Sequence, residues 1–477
     1  MNAPIDLSGV VLLTERLTLR PWRQSDLDDF FAYASVDGVG QMAGWKPHES
    51  KEESQAILDR FIAGKKTFAL ELDGRAVGSL GVEEYNEERF PEFADKKCRE
   101  IGYVLAKDCW GRGLMPEAVR EVIRYLFEDA GLDLITCGYY VWNRQSKRVQ
   151  EKCGFTQYAT GSHKNKLGNV EQDVKNILTR ENWLAAMLTP LEPEEFDRYV
   201  DFAYYLALDT TKSGYPTYTD GVKTREDFVE RARKAFSRYN EEILLFRHGG
   251  RVAGWIHWYI LPEDRYIDTC SFCIAEGMRT AIEAFVAFVC RRFPGNDLFL
   301  GFPKENVEAV AALTDLGFEL IEESCNNVLD FASYQPLPEP ADVVPITREN
   351  YGPFAALHDR ETDMYWNTAR ILSALDGWRV LVALREGEAA GAIYHQVRED
   401  DLSMDEIFGV DFAGDYDSEV FRELMAAVLN AEKRRGVAHM VFFDDDMTHA
   451  DTLACGFRCV GQYVCFRKTI EADGDAS

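Results

Sequence analysis

The sequence predicts an α/β (α+β) protein built from three related modules, because three features repeat along it. The first is a hairpin, in which a turn containing glycine joins two apolar strand-like segments, at residues 67–80, 243–256 and 380–393. The second is an amphipathic helix pattern that follows each hairpin. The third is a Gly-Phe pair that closes each copy, and the pairs are Gly154-Phe155, Gly317-Phe318 and Gly456-Phe457. Three copies of one pattern predict three modules.

The length agrees with this organisation, because 477 residues are too many for one ordinary hydrophobic core. Residues 188–193 form a junction after the first copy, and the proline-rich residues 334–340 predict a linker before the third. We therefore expect modules at residues 1–188, 189–335 and 336–477.

Composition and charge restrict the partners of the chain. An apolar content of 46% with 12% aromatic residues predicts a folded, globular protein. A net charge of −28 argues against a nucleic-acid partner, since a phosphate backbone would be repelled over most of the surface. The sequence has no apolar run of about 18 residues and no basic region followed by an apolar core at its start. We expect a cytoplasmic protein with no membrane partner.

The cysteines give the same indication. There are eleven, an odd number, and they are scattered without the paired spacing of a metal site. Reduced, mostly buried thiols are therefore expected, and no metal.

A strand, a glycine turn and a helix start follow one another within residues 100–118. An apolar strand-like segment ends before Gly111 and Gly113, and Pro116 then opens a helix. The apolar face of this helix comprises Val119, Val122, Ile123, Leu126 and Phe127. Unpaired backbone N–H groups and the positive end of the helix dipole converge at such a turn, which makes it an anion cradle.

The first module resembles the GNAT superfamily of acyl-CoA-dependent N-acyltransferases over residues 10–183. The resemblance is carried by residues 14–22, by Trp110-Gly111-Arg112-Gly113 with its flanking residues, and by residues 143–155. It is most similar to the RimJ/RimL branch, which acetylates protein N-termini and small-molecule amines. One departure is Asp108, which stands where the family has Gln or Arg.

The resemblance implies both a fold and a cofactor. Each GNAT-like module would be a mixed, mostly antiparallel twisted sheet flanked by helices, and acetyl-CoA would be the acyl donor. The thioester carbonyl would meet a backbone N–H near Val104, freed where the sheet splays, and Asn143 would bond the pantetheine arm. The implied cofactor-binding residues are Val104, Leu105, Trp110, Gly111, Arg112, Gly113, Leu114, Met115, Asn143, Ser146, Arg148 and Lys152.

Two side chains are the candidates for catalysis. An amine must lose a proton before it attacks a thioester, and Glu100 is the candidate base, acting through water, with Glu83 as the alternative. Ser146 could donate a proton to the leaving thiolate. Serine at this position could also simply cap a helix, and the two roles are compatible.

The second and third modules keep the order of predicted elements but differ at the positions of the candidate site residues. The position eleven residues before the Gly-Phe glycine holds Asn143, Asn306 and Asp445, whereas the position of Ser146 holds Ala309 and Thr448. The phosphate loop has one glycine at residues 272–279 and three acids at 409–417. The acids of the third module would repel phosphates, and the second module keeps only one glycine. We interpret both as degenerate modules that bind CoA poorly.

The sequence thus predicts an acetyl-CoA-dependent N-acetyltransferase that transfers an acetyl group to a primary amine by direct attack in a ternary complex. The alternative is a non-catalytic acyl-CoA-binding or scaffold protein. The acceptor (a protein N-terminus or a small-molecule amine) is left open, as is a homodimer. Residues 214–218 and 363–366 correspond to residues 42–45 of the first module, a region that the resemblance places beside the acceptor site. They carry aromatic side chains, for which core packing is favoured over binding.

Overall fold

The computed structural model describes residues 1–360, 365–398 and 401–471. Asp363 and Met364, which belong to the aromatic stretch of the third predicted module, lie outside the described residues.

The chain divides into two compact units. Unit 1 comprises Met1–Leu188 together with Gly249–Arg251, and unit 2 comprises the described residues of Thr189–His248 and Val252–Ser477.

Unit 1 is built on one eight-stranded sheet. Its strands are β1 Leu12–Leu13, β2 Thr18–Pro21, β3 Thr67–Leu72, β4 Arg75–Glu83, β5 Cys98–Leu105, β6 Leu134–Tyr140, β7 Thr156–Lys164 and β8 Val170–Thr179. Its helices are α1 Leu27–Ala34, α2 Lys51–Gly64, α3 Leu114–Glu128, α4 Arg144–Lys152 and α5 Arg180–Ala185. The strand order is β1-β2-β3-β4-β5-β6-β8-β7. Only β5 and β6 run parallel among these described strands, and every other neighbouring pair is antiparallel.

Helix α3 carries the apolar face that the sequence predicts. All five predicted residues, from Val119 to Phe127, are at most 1% exposed and belong to the main core of unit 1. The helix begins at Leu114, two residues earlier than predicted, so that Pro116 is its third residue. Proline is tolerated there because the first helical N–H groups have no intrahelical acceptor.

Unit 2 is built on a twelve-stranded sheet. Its strands are β9 Leu188–Pro190, β10 Glu241–His248, β11 Arg251–Leu261, β12 Tyr266–Ile274, β13 Asp297–Pro303, β14 Glu319–Asp330, β15 Val343–Pro345, β16 Trp378–Arg385, β17 Glu388–Gln396, β18 Met404–Phe412, β19 His439–Asp444 and β20 Arg458–Thr469. Its helices are α6 Phe196–Ala207, α7 Arg225–Arg233, α8 Met278–Arg292, α9 Val307–Asp315, α10 Gly352–His358, α11 Thr368–Ser373, α12 Ser418–Arg435 and α13 His449–Ala454.

The two predicted modules of unit 2 exchange their last strands. The sheet order is β15-β16-β17-β18-β19-β14-β20-β13-β12-β11-β10-β9. Strand β14 is the last strand of the second predicted module but pairs with β19, and β20, the last strand of the third, pairs with β13. Residues 189–335 and 336–477 therefore share one sheet, and their treatment as separate modules stays a prediction.

The fold-class prediction of mixed, mostly antiparallel sheets flanked by helices is confirmed in both units. The predicted hairpins are β3–β4, β10–β11 and β16–β17. Both central residues of each turn have positive φ, as a type I′ turn requires. These residues are Asp73 and Gly74, Gly249 and Gly250, and Glu386 and Gly387.

All eleven cysteines are free thiols, and most of them are buried, as predicted. Among the described residues, no helix is both long enough and apolar enough to cross a membrane.

Candidate active site

The candidate site begins where β5 and β6 separate. Their parallel pairing runs from Cys98 and Leu134 to Ile101 and Cys137, although both strands continue beyond these residues. The predicted splay of the sheet is therefore present, and it opens a gap beside the second half of β5.

The backbone groups that face this gap follow from the pairing on the other edge of β5. The amide of Ala106 donates to the carbonyl of Val77 at 2.7 Å. Because antiparallel positions alternate between hydrogen-bonded and non-bonded pairs, the N–H of Val104 points to β4. The N–H groups of its two neighbours, Tyr103 and Leu105, point into the gap. The donor expected near Val104 is thus supplied by the residues on either side of it.

Gln150 of α4 lies on the β6 side of the gap and is fully buried. Its Nε2 donates to the carbonyl of Gly138 at 3.1 Å and to Ser146 Oγ at 3.2 Å. Its Oε1 accepts a hydrogen bond from Asn176 Nδ2 at 2.9 Å, which fixes the orientation of the amide. Gln150 therefore ties β6, β8 and the start of α4 together where the two parallel strands part.

The turn before α3 has the geometry that the glycine pattern predicts. Gly111 and Gly113 have φ values of 75° and 78°, in the left-handed region that favours glycine. A Cβ on Gly111 would meet no atom within 4 Å, so its backbone conformation, and not crowding, requires glycine. Gly113 is the N-cap of α3 and offers no side chain to its amides. The amides of Leu114 and Met115 are therefore available to an anion.

A cavity of about 590 Å³ joins this turn to the gap. Its lining includes Tyr103 and every predicted site residue except Arg112. These predicted residues are Glu100, Val104, Leu105, Trp110, Gly111, Gly113, Leu114, Met115, Asn143, Ser146, Arg148 and Lys152. Arg112 instead contributes its carbonyl, which accepts a hydrogen bond from Arg16 Nη1 at 2.9 Å. The cavity thus reaches from the anion cradle to both candidate catalytic side chains.

The two candidate bases differ in their surroundings. Glu83 and Glu100 are register partners on β4 and β5. Glu83 forms an ion pair with Lys66 Nζ at 2.5 Å, whereas Glu100 lines the cavity, with its Oε1 3.5 Å from Lys175 Nζ. Lys175, which also lines the cavity, therefore contacts the Glu100 carboxylate.

Asn143 and Ser146 occupy the start of α4. Asn143 Oδ1 caps the helix by accepting the N–H of Ser146 at 3.0 Å, and its Nδ2 donates to the carbonyl of Met42 at 3.1 Å. Its side chain therefore holds the segment around Met42 against the cavity. Arg148 and Lys152 are both exposed at the rim of the cavity. Asp108, the residue that differs from the family pattern, is also exposed.

Sequence reasoning missed two residues of the site. The Tyr103 hydroxyl lies 3.0 Å from Ser146 Oγ, and Gln150 Nε2 donates to that Ser146 oxygen. The spacing of four residues between Ser146 and Gln150 places both on one helix face, which was an available signal for Gln150. The contact with Tyr103 joins residues 43 positions apart, and local spacing does not reveal it.

The cysteines near the cavity pack as small apolar groups, as predicted. Burial raises the pKa of Cys153 to about 12 and also raises that of Cys109. Both thiols therefore stay protonated at neutral pH, which does not suit a nucleophile.

The corresponding gap in the second predicted module is filled by the chain itself. Strands β12 and β13 pair in parallel only at Tyr266–Asp297 and Ile267–Leu298. Beyond that point, Gly214 N donates to the carbonyl of Phe272 at 2.7 Å. Tyr215 N donates to the carbonyl of Gly301 at 2.8 Å. Residues 213–215 therefore lie between the two strands. The half-buried ring of Tyr215 packs against Phe443 and Tyr463, whereas Tyr218 is buried in a hydrophobic core, as favoured.

The helix starts of unit 2 also differ from that of α3. In α8, the N–H of Arg279 donates to Glu308 Oε1 at 3.1 Å. In α12, Asp417 Oδ1 accepts the N–H groups of Glu419 at 2.9 Å and Val420 at 3.1 Å. Both helix N-termini therefore carry a carboxylate of the chain at the position that α3 leaves to a ligand.

Comparison with known proteins bears on unit 1. Residues 16–156 match the family model described as Acetyltransferase (GNAT) domain. The N-acetyltransferase YoaA of Bacillus subtilis, named as uncharacterized, is 29% identical over 153 residues, which are 30% of this chain and 82% of YoaA. The FsC-acetyl coenzyme A-N(2)-transacetylase of Aspergillus fumigatus is 34% identical over 88 residues, which are 18% of this chain and 37% of that relative.

A solved acetyltransferase of the GNAT family from Bacillus anthracis aligns with a TM-score of 0.32 at 20% identity, covering 36% of this chain and 99% of the other. The family match supports a GNAT acetyltransferase domain over residues 16–156, and acetyl-CoA, the acyl donor that GNAT acetyltransferases use, is the cofactor of this domain.

Proposed function

We propose that the chain is an N-acetyltransferase of the RimJ/RimL type that transfers the acetyl group of acetyl-CoA to a primary amine in the cavity of unit 1. The observation that carries this proposal is the continuity of that cavity, which runs from the turn at Gly111 to Glu100 and Ser146. One end suits a diphosphate and the other suits proton transfer, as a direct attack in a ternary complex requires.

The donor end fits acetyl-CoA by charge and geometry. The left-handed glycines Gly111 and Gly113 let a phosphate approach the backbone closely, and the uncapped amides of α3 point at it. Arg148 and Lys152 add two cations at the rim. Acetyl-CoA supplies an activated thioester, and these residues hold its charged end.

The reacting end supplies three functions. The N–H groups of Tyr103 and Leu105, which face the gap, can polarise a thioester carbonyl. Glu100 takes the proton of the amine through water, since an ammonium cannot attack. Ser146 offers its hydroxyl to the leaving thiolate. As the C–N bond forms and the C–S bond breaks, the amine thus loses a proton and the thiolate is stabilised.

We further propose that unit 1 holds the one working site and that the second and third modules are degenerate. Residues 213–215 fill the second gap, and Glu308 caps α8. Asp417 caps α12, where it would repel a phosphate. A pantetheine arm or a diphosphate would have to displace these groups of the chain.

The acceptor is an amine of a protein N-terminus or of a small molecule. The Aspergillus relative is named for transfer to an N(2) position, which agrees with an amino acceptor. A cytoplasmic location agrees with eleven free thiols, and the net charge of −28 argues against nucleic acid as a partner. A homodimer stays open.

Two measurements on the full chain test this function. Acetyl-CoA should raise the melting temperature, and an amine panel should then release free CoA thiol with at least one acceptor. Stabilisation without thiol release for any amine would instead support the scaffold alternative. Absence of both effects would contradict the proposal.

A further inference from the structure

The hydroxyl of Ser146 is held by two neighbours inside the cavity. Gln150 Nε2 donates to Ser146 Oγ at 3.2 Å, and the orientation of this amide is fixed by Gly138 and Asn176. The Tyr103 hydroxyl lies 3.0 Å from the same Oγ, a contact in which either oxygen can donate, and 3.3 Å from the Ser146 carbonyl. Ser146 is therefore not a free surface serine.

The number of hydrogen bonds that a hydroxyl can form determines where the hydroxyl hydrogen of Ser146 points. A serine oxygen accepts two hydrogen bonds and donates one. Tyr103 has a single hydroxyl hydrogen, and its contact with Ser146 Oγ is shorter than its contact with the Ser146 carbonyl. If Gln150 and Tyr103 both donate to Ser146 Oγ, the two lone pairs of that oxygen are used. The only remaining group is its own hydrogen, which must then point away from both donors.

We propose that Tyr103 is a positioning residue that directs the Ser146 hydroxyl hydrogen into the cavity, toward the sulfur of bound coenzyme A. This inference rests on the proposed function of the same site. Tyr103 forms or breaks no covalent bond in this role. It acts through Ser146, whose hydrogen bond stabilises the negative charge on the leaving sulfur.

The surroundings of Tyr103 suit a donor that stays protonated. Burial raises the pKa of Tyr103 well above its usual value, so the phenol keeps its hydrogen throughout the neutral range. A chain of hydrogen bonds from Tyr103 through Ser146 also polarises each member, which strengthens the bond to a charged acceptor.

The test titrates the thiol of CoA bound to the full-length protein, followed by thiolate absorbance against the protein without CoA. No acceptor amine is needed. In Tyr103→Phe, the pKa of the bound thiol should rise by about one pH unit relative to wild type, the effect of one weakened charge-assisted hydrogen bond. Ser146→Ala should raise it at least as much, and the double variant should match Ser146→Ala. Tyr125→Phe, which removes a phenol hydroxyl outside the cavity, should match wild type.

The outcomes separate this inference from the function on which it rests. If wild type does not bind CoA, the proposed function fails together with the inference. If CoA binds and Tyr103→Phe leaves its thiol unchanged, or if the two single effects add in the double variant, only the positioning role is overturned. Should Tyr103→Phe fail to fold, an unchanged thiol in Ser146→Ala overturns the role equally.

Discussion

Glu117 accepts hydrogen bonds from three atoms of Arg16, which are Nε at 2.8 Å, Nη2 at 2.5 Å and the backbone amide at 2.9 Å. Thr14 Oγ1 donates to the same carboxylate at 2.6 Å. Burial alone would raise the pKa of Glu117, but these hydrogen bonds outweigh it and hold the pKa below its usual value. Since Arg16 Nη1 also donates to the carbonyl of Arg112, this pair clamps the glycine turn and the start of α3 to the segment between β1 and β2.

Loss of the clamp should loosen the turn. In Arg16→Ala, we expect roughly tenfold weaker acetyl-CoA binding, because the amides of the glycine turn would become ordered only on binding, and the cost of that ordering lowers the affinity. Isothermal titration calorimetry measures this. Arg75→Ala removes an arginine from an exposed ion pair with Asp29 outside the cavity and should bind as wild type does. Equal affinities for Arg16→Ala and wild type would count against the clamp.

A carboxylate at Gly111 should block the diphosphate site. Gly111→Glu combines backbone strain with like-charge repulsion, and we expect acetyl-CoA affinity to fall on the order of 100-fold. The matched control is Gly131→Glu, since Gly131 also has positive φ (64°) and open space around it but lies outside the cavity. Unchanged affinity in Gly111→Glu would place the phosphates elsewhere. An equal loss in the control would show that the effect is not specific to the turn at Gly111.

Replacement of the base should remove the pH dependence that it supplies. With an active amine, Glu100→Gln should lower turnover about 100-fold or more at neutral pH, and the acidic limb of the rate profile should flatten. Glu83→Gln, on the neighbouring strand, should keep both the rate and the profile. The reverse pattern would assign the base to Glu83.

Residues close together in the sequence were enough to predict some features of this fold but not others. The turn at Gly111, the buried face of α3 and the I′ hairpins were predictable, because each follows from residues a few positions apart. The exchange of β14 and β20 was not, since strand periodicity does not record which strand is the partner. Insertion of residues 213–215 between β12 and β13 is likewise a long-range event.

The candidate site divides in the same way. Glu100 and Ser146 could be proposed from motif chemistry, and the structure brings both to one cavity. The location of the backbone donor near Val104 was predicted, but the residues that supply it were not. The alternation of hydrogen bonds with β4 sets which N–H groups face the gap. Gln150 was overlooked because a polar residue in a highly charged helix looks exposed, yet it is fully buried.

Unit 2 contains a buried carboxylate whose charge should support folding. Glu432 Oε1 lies 3.1 Å from His395 Nε2, and Oε2 accepts a hydrogen bond from Arg435. Burial would raise the pKa of Glu432, but these partners outweigh it and lower the pKa to about 2. A depressed folded pKa contributes stability that is present above the unfolded value, about 4.3, and is lost as pH falls toward 2.

Glu432→Gln should therefore lower the free energy of unfolding by roughly 2 kcal/mol at pH 7, and this difference should narrow between pH 4 and pH 3. Urea unfolding of the full chain at these three pH values measures it. Glu339→Gln, in an exposed ion pair with Arg434, should stay within about 0.5 kcal/mol of wild type. A difference for Glu432→Gln that does not change with pH would rule out this source of stability.

The central claim is that a single cleft, in unit 1, holds acetyl-CoA. Hydrogen exchange of the full-length protein with and without acetyl-CoA tests it most directly, since it reports the location of binding. We predict protection of residues 103–115 and no change at residues 272–279 or 409–417. Protection at either of those later loops, with residues 103–115 unaffected, would contradict the claim.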